Sequence, residues 1–138
     1  MKHVIPQLWR CQSWDWFNIN DQRAGLGDMK LHDDMGTTLE LKADDTPHQN
    51  IVIETWSNFN RKLGWFYTCT ADWLVYHSMR HHTVWFAPFE TLRRKLHGVE
   101  LPTATNDTGG NDTWFLLVPF RDASLYGFRS YSSAKWPA

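Results

Sequence analysis

Three side chains in the first third of the chain could do chemistry together: Asp28, Glu40 and Lys42. Glu40-Leu41-Lys42 lies in a stretch whose side chains alternate between two faces, so Glu40 and Lys42 share one face and Leu41 takes the other. A carboxylate and an ammonium on a half-buried strand are unfavourable unless paired or liganding. Asp28 stands at the start of the preceding strand. An odd hairpin loop such as Asp33-Asp34-Met35 brings Asp28 opposite Glu40, whereas a two-residue turn at Asp34-Met35 brings it opposite Leu41. Two carboxylates at one spot repel each other, and a divalent cation relieves that repulsion. Hard oxygen donors without sulfur favour Mg²⁺ or Mn²⁺ over zinc. Mg²⁺ keeps several waters, one of which can become a nucleophile, and a neighbouring lysine can orient that water or stabilise charge developing on a phosphate. These parts suit hydrolysis of a phosphodiester. The competing reading is a same-face surface ion pair, since an E-x-K tripeptide is common.

These residues must be held by a sheet. Gly27 to His32 reads as a strand, Asp33 to Gly36 as a turn and Thr37 to Ala43 as the returning strand. Asn50 to Trp56 is a third strand, rich in Ile and Val. It carries Glu54, which becomes another carboxylate near the metal if the second and third strands are neighbours. Asp72 to His77 and Thr83 to Ala87 pair across Met79-Arg80-His81-His82, and Thr113 to Pro119 is the last strand. Pro6 to Asn18 has apolar residues at helical spacing (Leu8, Cys11, Trp14, Phe17). Pro88 to His97 reads as a second helix, with Phe89, Leu92 and Leu96 on one stripe and Gly98 as its stop. The segments 44–50 and 102–112 read as loops, and the tail from Ser130 as irregular. The expected fold is α/β: a single domain with one central mixed sheet flanked by helices.

The chain resembles the PD-(D/E)XK nuclease superfamily, in which an Asp opens one strand and Asp/Glu-x-Lys lies on the next. Asp28 matches the first element and Glu40-Leu41-Lys42 the second, with Gly27 where proline is usual. The ordered string Gly25-Leu26-Gly27-Asp28, Glu40-Leu41-Lys42, Ile53-Glu54-Thr55-Trp56-Ser57-Asn58, Gly64-Trp65 and Ala71-Asp72-Trp73-Leu74-Val75-Tyr76 looks like small phage and prophage proteins of that superfamily. The similarity spans residues 21 to 98. It implies a restriction-endonuclease-like fold and Mg²⁺ bound by Asp28, Glu40 and the Leu41 carbonyl. It also implies Lys42 beside the attacking water, and a DNA substrate. A further acid from a helix is common there; Asp15 and Asp21 are the two candidates.

Trp56 to Trp65 mixes polar, basic and aromatic groups after a strand. Ser57, Asn58, Arg61 and Lys62 are candidate DNA contacts, the alternative being a turn with solvated charges. Arg93-Arg94-Lys95 with His97 forms a local basic face, equally explained by a helix C-terminus. His81-His82 reads as a turn, because adjacent strand-end residues point apart. No Gly-rich phosphate loop or serine nucleophile elbow is present.

The 138 residues suit one domain, and nine Trp, eight Phe and four Tyr supply a core without disulfides. A formal net charge of −1 gives no global basic field. Cys11 and Cys69 lie in no zinc pattern and read as two buried thiols of a reducing compartment. With no secretory leader and no membrane-length apolar run, the expectation is a cytoplasmic protein that does not engage membranes, and the resemblance implies that it is phage- or prophage-encoded. A homodimer is one way for a domain of this size to cut both strands. The runner-up function is a non-cleaving DNA- or protein-binding module on the same fold.

Overall fold

The computed structural model describes residues 4–108 and 111–135. It shows one mixed α/β fold built on two sheets rather than the single sheet expected. In chain order the elements are α1 (Val4–Trp9), β1 (Trp14–Trp16), α2 (Ile19–Arg23), β2 (Met29–Leu31), β3 (Thr38–Asp44) and β4 (Asn50–Asn58). There follow β5 (Lys62–Leu63), α3 (Trp65–Thr68), β6 (Trp73–Ser78), β7 (Thr83–Pro88) and α4 (Phe89–Leu96). Strands β8 (Thr103–Thr108) and β9 (Asn111–Pro119) precede a 3₁₀ segment at Phe120–Tyr126, then β10 (Arg129–Ser132) and a short 3₁₀ turn.

The first sheet has strand order β1-β2-β3-β6-β7-β10, the second β5-β4-β9-β8. Within the first, β3 and β6 run parallel and every other pair is antiparallel. A parallel neighbour cannot be reached by a hairpin. The chain therefore leaves β3, builds β4 and β5 into the second sheet, crosses through α3 and returns as β6.

Alternation divides the first sheet's side chains between two cores. Leu39, Val75, Met29, Leu31 and Val84 face α1, where Ile5 is fully buried and Trp9 packs edge-on against Trp73. Leu74, Tyr76 and Ala87 face the other way, toward Ile51, Ile53 and Val118 of the second sheet and Phe89, Leu92 and Leu96 of α4. Burying each such aliphatic side chain is worth about 1.5–3 kcal/mol. The stripe of α4 and its stop at Gly98, whose φ is +73, match the sequence expectation.

Three expectations are corrected. The first helix ends at Trp9, and β1 occupies Trp14–Trp16; its Trp14 and Leu31 pair edge to edge, so the three-residue spacing marked sheet packing. The segment 102–112 is mostly strand: β8 pairs with β9 from Thr103–Leu116 to Thr108–Asn111, its β-branched Thr103 and Thr105 suiting an extended backbone. Its Gly109-Gly110 lies outside the described residues. The tail is ordered as far as Lys135, because β10 completes the sheet edge beside β7; residues 136–138 lie outside the described residues. No helix among the described residues is long and apolar enough to cross a membrane.

Candidate active site

The turn between β2 and β3 is held by Asp33, whose carboxylate accepts the Thr37 N–H at 2.9 Å and the Thr37 hydroxyl at 2.5 Å. These hydrogen bonds, the hydroxyl's first, hold the Asp33 carboxyl below its ordinary value. The resulting ladder runs Lys30–Thr38 and Met29–Leu39. Its next rung would be Asp28–Glu40, the odd-loop alternative, but the ladder breaks there. The Asp28 N–H donates to the Leu39 carbonyl at 2.8 Å, and its carboxylate turns inward to accept the Leu41 N–H at 2.7 Å. That N–H belongs to the peptide joining Glu40 to Leu41, so the Asp28 carboxylate sits on the backbone of the E-x-K motif itself. In an extended strand the N–H and C=O of one residue leave on the same side. The Leu41 carbonyl therefore faces the same edge as Asp28.

The departure at Gly27 has a structural cause. Its φ is +107, which proline cannot adopt, and a Cβ there would stand 2.9 Å from the Leu39 carbonyl oxygen. Asp72, at the start of β6, clamps the other edge: its carboxylate accepts the Thr38 N–H at 2.9 Å and the Thr38 hydroxyl at 3.1 Å. The strand carrying Glu40 and Lys42 is thus held at its entry from both sides.

Glu40 and Lys42 point to the face that looks at the second sheet. The Lys42 Nζ lies 3.0 Å from Glu40 Oε1 and 5.1 Å from the centre of the Trp65 ring. Only 12% of the Glu40 side chain is exposed, against 33% of Lys42. The Cys69 thiol donates to Glu40 Oε2 at 3.5 Å. Burial first, with the Glu40 charge adding to it, pushes the Cys69 thiol up to about 12, so it is a protonated donor.

Glu54 arrives by a different route from the one expected. Strands β3 and β4 are not hydrogen-bonded neighbours; β4 belongs to the second sheet. Yet Glu40 and Glu54 line one cleft of about 170 Å³, together with Gln22, Ser57, Lys62 and Cys69. Glu54 Oε1 accepts the Trp65 N–H at 3.4 Å. A Cβ on Gly64 would lie 2.5 Å from the Glu54 carbonyl oxygen, so that close approach requires glycine. Among the candidate DNA contacts, Ser57 and Lys62 line the cleft, while Arg61 and Asn58 shape the exposed turn beside it, the Arg61 N–H donating to the Asn58 carbonyl at 3.0 Å.

Of the two candidates for a helical acid, Asp15 is on β1 and pairs with His32 at 2.8 Å, so it is no helical acid. Asp21 is in the first turn of α2, capped by Asn18, and the same helix sends Gln22 and Arg23 into the cleft. Sequence reasoning missed Gln22 and Arg23, and only the Asn18 cap signalled the helix that places them. Arg93 also departs from its expected place on a basic face. It turns inward, donates to the Phe66 carbonyl at 2.8 Å and to the Cys69 carbonyl, and stacks on Phe89.

Asp28, Glu40 and the Leu41 carbonyl are hard-oxygen donors of the kind Mg²⁺ takes, commonly one or two carboxylates with retained waters, and the Asp28 carboxylate is turned onto the Leu41 N–H. Among the described residues, no three of His, Cys, Asp or Glu converge closely enough to hold a metal ion. The chain matches no family model, no curated protein and no solved structure.

Proposed function

We propose that this protein hydrolyses DNA phosphodiester bonds as a metal-dependent endonuclease of the PD-(D/E)XK type. One observation carries the reading: the Asp28 carboxylate accepts the N–H of the Glu40–Leu41 peptide at 2.7 Å while Lys42 Nζ stands 3.0 Å from Glu40, so the three motif residues are grouped around one stretch of β3, Asp28 at its edge and Glu40 and Lys42 on its face. Asp28, Glu40 and the Leu41 carbonyl would hold Mg²⁺, with Mn²⁺ able to substitute. When bound, the ion supplies a water of lowered pKa and a Lewis acid for the phosphoryl oxygens.

The chain's own groups do the rest. Glu40 accepts hydrogen bonds on the cleft side and orients an attacking water. Lys42, already partly desolvated, supplies a cation where negative charge grows on the phosphate. Ser57 and Lys62, across the cleft, contact the flanking backbone. The Glu40–Lys42 pair favours one rival, a non-cleaving DNA- or protein-binding module, because a closed ion pair can serve structure alone.

Incubation with linear, flap, junction and single-stranded DNA in Mn²⁺ and Mg²⁺ separates the two. Cleavage that Asp28→Ala and Lys42→Ala each abolish, with the fold retained by circular dichroism, is the expected result. Absence of both metal binding and nicking on every substrate would sink the hydrolase reading. A homodimer, if formed, would place two such clefts on the two strands, and sedimentation with and without DNA tests it.

A further inference from the structure

The E-x-K face does not end at Lys42. Asp44 follows on the same side of β3, and between Lys42 and Asp44 opens a second cavity of about 390 Å³. Its walls are aromatic: Trp65 from α3, Tyr76 from β6 and Phe115 from β9, with Lys42 and His48 at its rim. That volume falls within the range of small-ligand sites, about 300–1,000 Å³. The polar groups here are already engaged with one another. Asp44 accepts from the Tyr76 hydroxyl at 2.5 Å and pairs with His48 Nε2 at 3.1 Å, while His48 Nδ1 accepts the Asn50 N–H at 3.3 Å. What the cavity offers a ligand is therefore flat apolar surface, one ammonium shared with the candidate active site, and the Asp45 carboxylate, which pairs with Arg80 at 3.4 Å.

We infer that this cavity receives an unpaired nucleobase adjacent to the scissile phosphate, stacked against Trp65 and Phe115, and that the preferred substrate is single-stranded DNA or a single-stranded branch. The inference rests on the DNA reading above and names its substrate class. Three observations support it. Lys42 Nζ lies over the Trp65 ring, 5.1 Å from its centre, so a base that stacks on that face displaces the ammonium toward its own neighbouring phosphate. A base paired in a duplex cannot stack on these rings without leaving its own stack, whereas an unpaired base does so at little cost. The formal net charge is −1, so no global basic field adds to duplex affinity. Stacking is the alternative source of affinity, and it selects single strands.

The test is equilibrium binding in EDTA, so that no hydrolysis intervenes, using a fluorescein-labelled 12-nucleotide single strand, the same strand with abasic sites, and the matching duplex. The wild-type protein is expected to bind the single strand about tenfold or more tighter than either comparison molecule. Trp65→Leu and Phe115→Leu should each weaken single-strand binding by about tenfold, and Trp65→Phe should restore most of it. Equal affinity for the normal and abasic strands, or duplex binding as tight as single-strand binding, overturns the proposal. Both need only the wild-type protein, so a variant that fails to fold does not shelter it. Loss of cleavage in Mn²⁺ with single-strand preference intact would count against the hydrolase reading and leave the stacking site standing.

Discussion

Glu40 and Asp44 stand four residues apart on one face of β3 and are almost equally buried, with 12% and 15% of their side chains exposed. Burial does not tell them apart; their partners do. Asp44 receives the Thr46 N–H at 2.8 Å, the Thr46 hydroxyl at 2.5 Å, the Tyr76 hydroxyl at 2.5 Å and His48 Nε2 at 3.1 Å. A carboxylate has about four acceptor positions, and at Asp44 they are filled. Glu40 has one cation and one weak thiol donor, so lone pairs remain, and it faces a cleft. Two carboxylates of one strand thus take different work: Asp44 knits β3, β6 and the following loop together, and Glu40 stays available to a ligand.

The sharpest way to break that contrast is to neutralise each in turn. Glu40→Gln should lower DNA cleavage by about 10²-fold or more in a Mn²⁺ assay, with little change in the urea midpoint. Asp44→Ala should do the reverse. It leaves the Tyr76 hydroxyl and the His48 N–H without their acceptor, at a cost of about 2–3 kcal/mol in urea unfolding, while the folded variant still cuts. If Asp44→Ala abolished cleavage in protein shown to be folded, Asp44 would belong to the site and the contrast would fall.

A smaller effect should appear in acid. Burial alone would raise the Asp44 carboxyl, but the hydrogen bonds from Thr46 and Tyr76 outweigh it and hold the group below its ordinary 3.8. A depressed folded value stabilises the protein above the unfolded value, and that contribution is lost as pH falls through the folded one. The stability difference between wild type and Asp44→Asn should therefore shrink as pH falls below the ordinary 3.8. Asp33 is depressed as well, but it is present in both proteins and cancels. A difference that grew with acidification would contradict the hydrogen-bond assignment.

How much of this was visible beforehand follows the range of the interactions. The E-x-K face, the hairpin and the α4 stripe depend on neighbours within a few residues, and periodicity reports them, while the parity of the hairpin loop is decided only by the Met29–Leu39 register. The membership of β4 in a second sheet does not, because the parallel pairing of β3 with β6 is decided by residues 34 positions apart, such as Asp72 on Thr38. Glu54 therefore entered the candidate set through an assumed adjacency that is absent, and the cleft it shares with Glu40 is made by sheet packing instead. Arg93 carries the same lesson: its place in a basic run suggested solvent, and only the carbonyls left open at α3 explain why it turns inward. For β8, composition misled, since Thr and Asn serve loops and edge strands equally well.

The smallest predicted effect concerns the thiol on Glu40. Cys69 is 3% exposed and its thiol is pushed up to about 12, so at pH 8 it is protonated and shielded. Alkylation of Cys69 at pH 8 should proceed only as fast as the protein opens, and addition of urea should release it. Cys69→Ala removes one weak donor and little volume, so cleavage should change by no more than about threefold. That modest outcome matters because the thiol and Lys42 are the two partners holding Glu40. If losing the thiol is nearly silent while Lys42→Ala is severe, the lysine's charge rather than the general crowding around Glu40 accounts for the site. A Cys69→Ala loss as deep as that of Glu40→Gln would instead place the thiol among the groups that set the carboxylate's position.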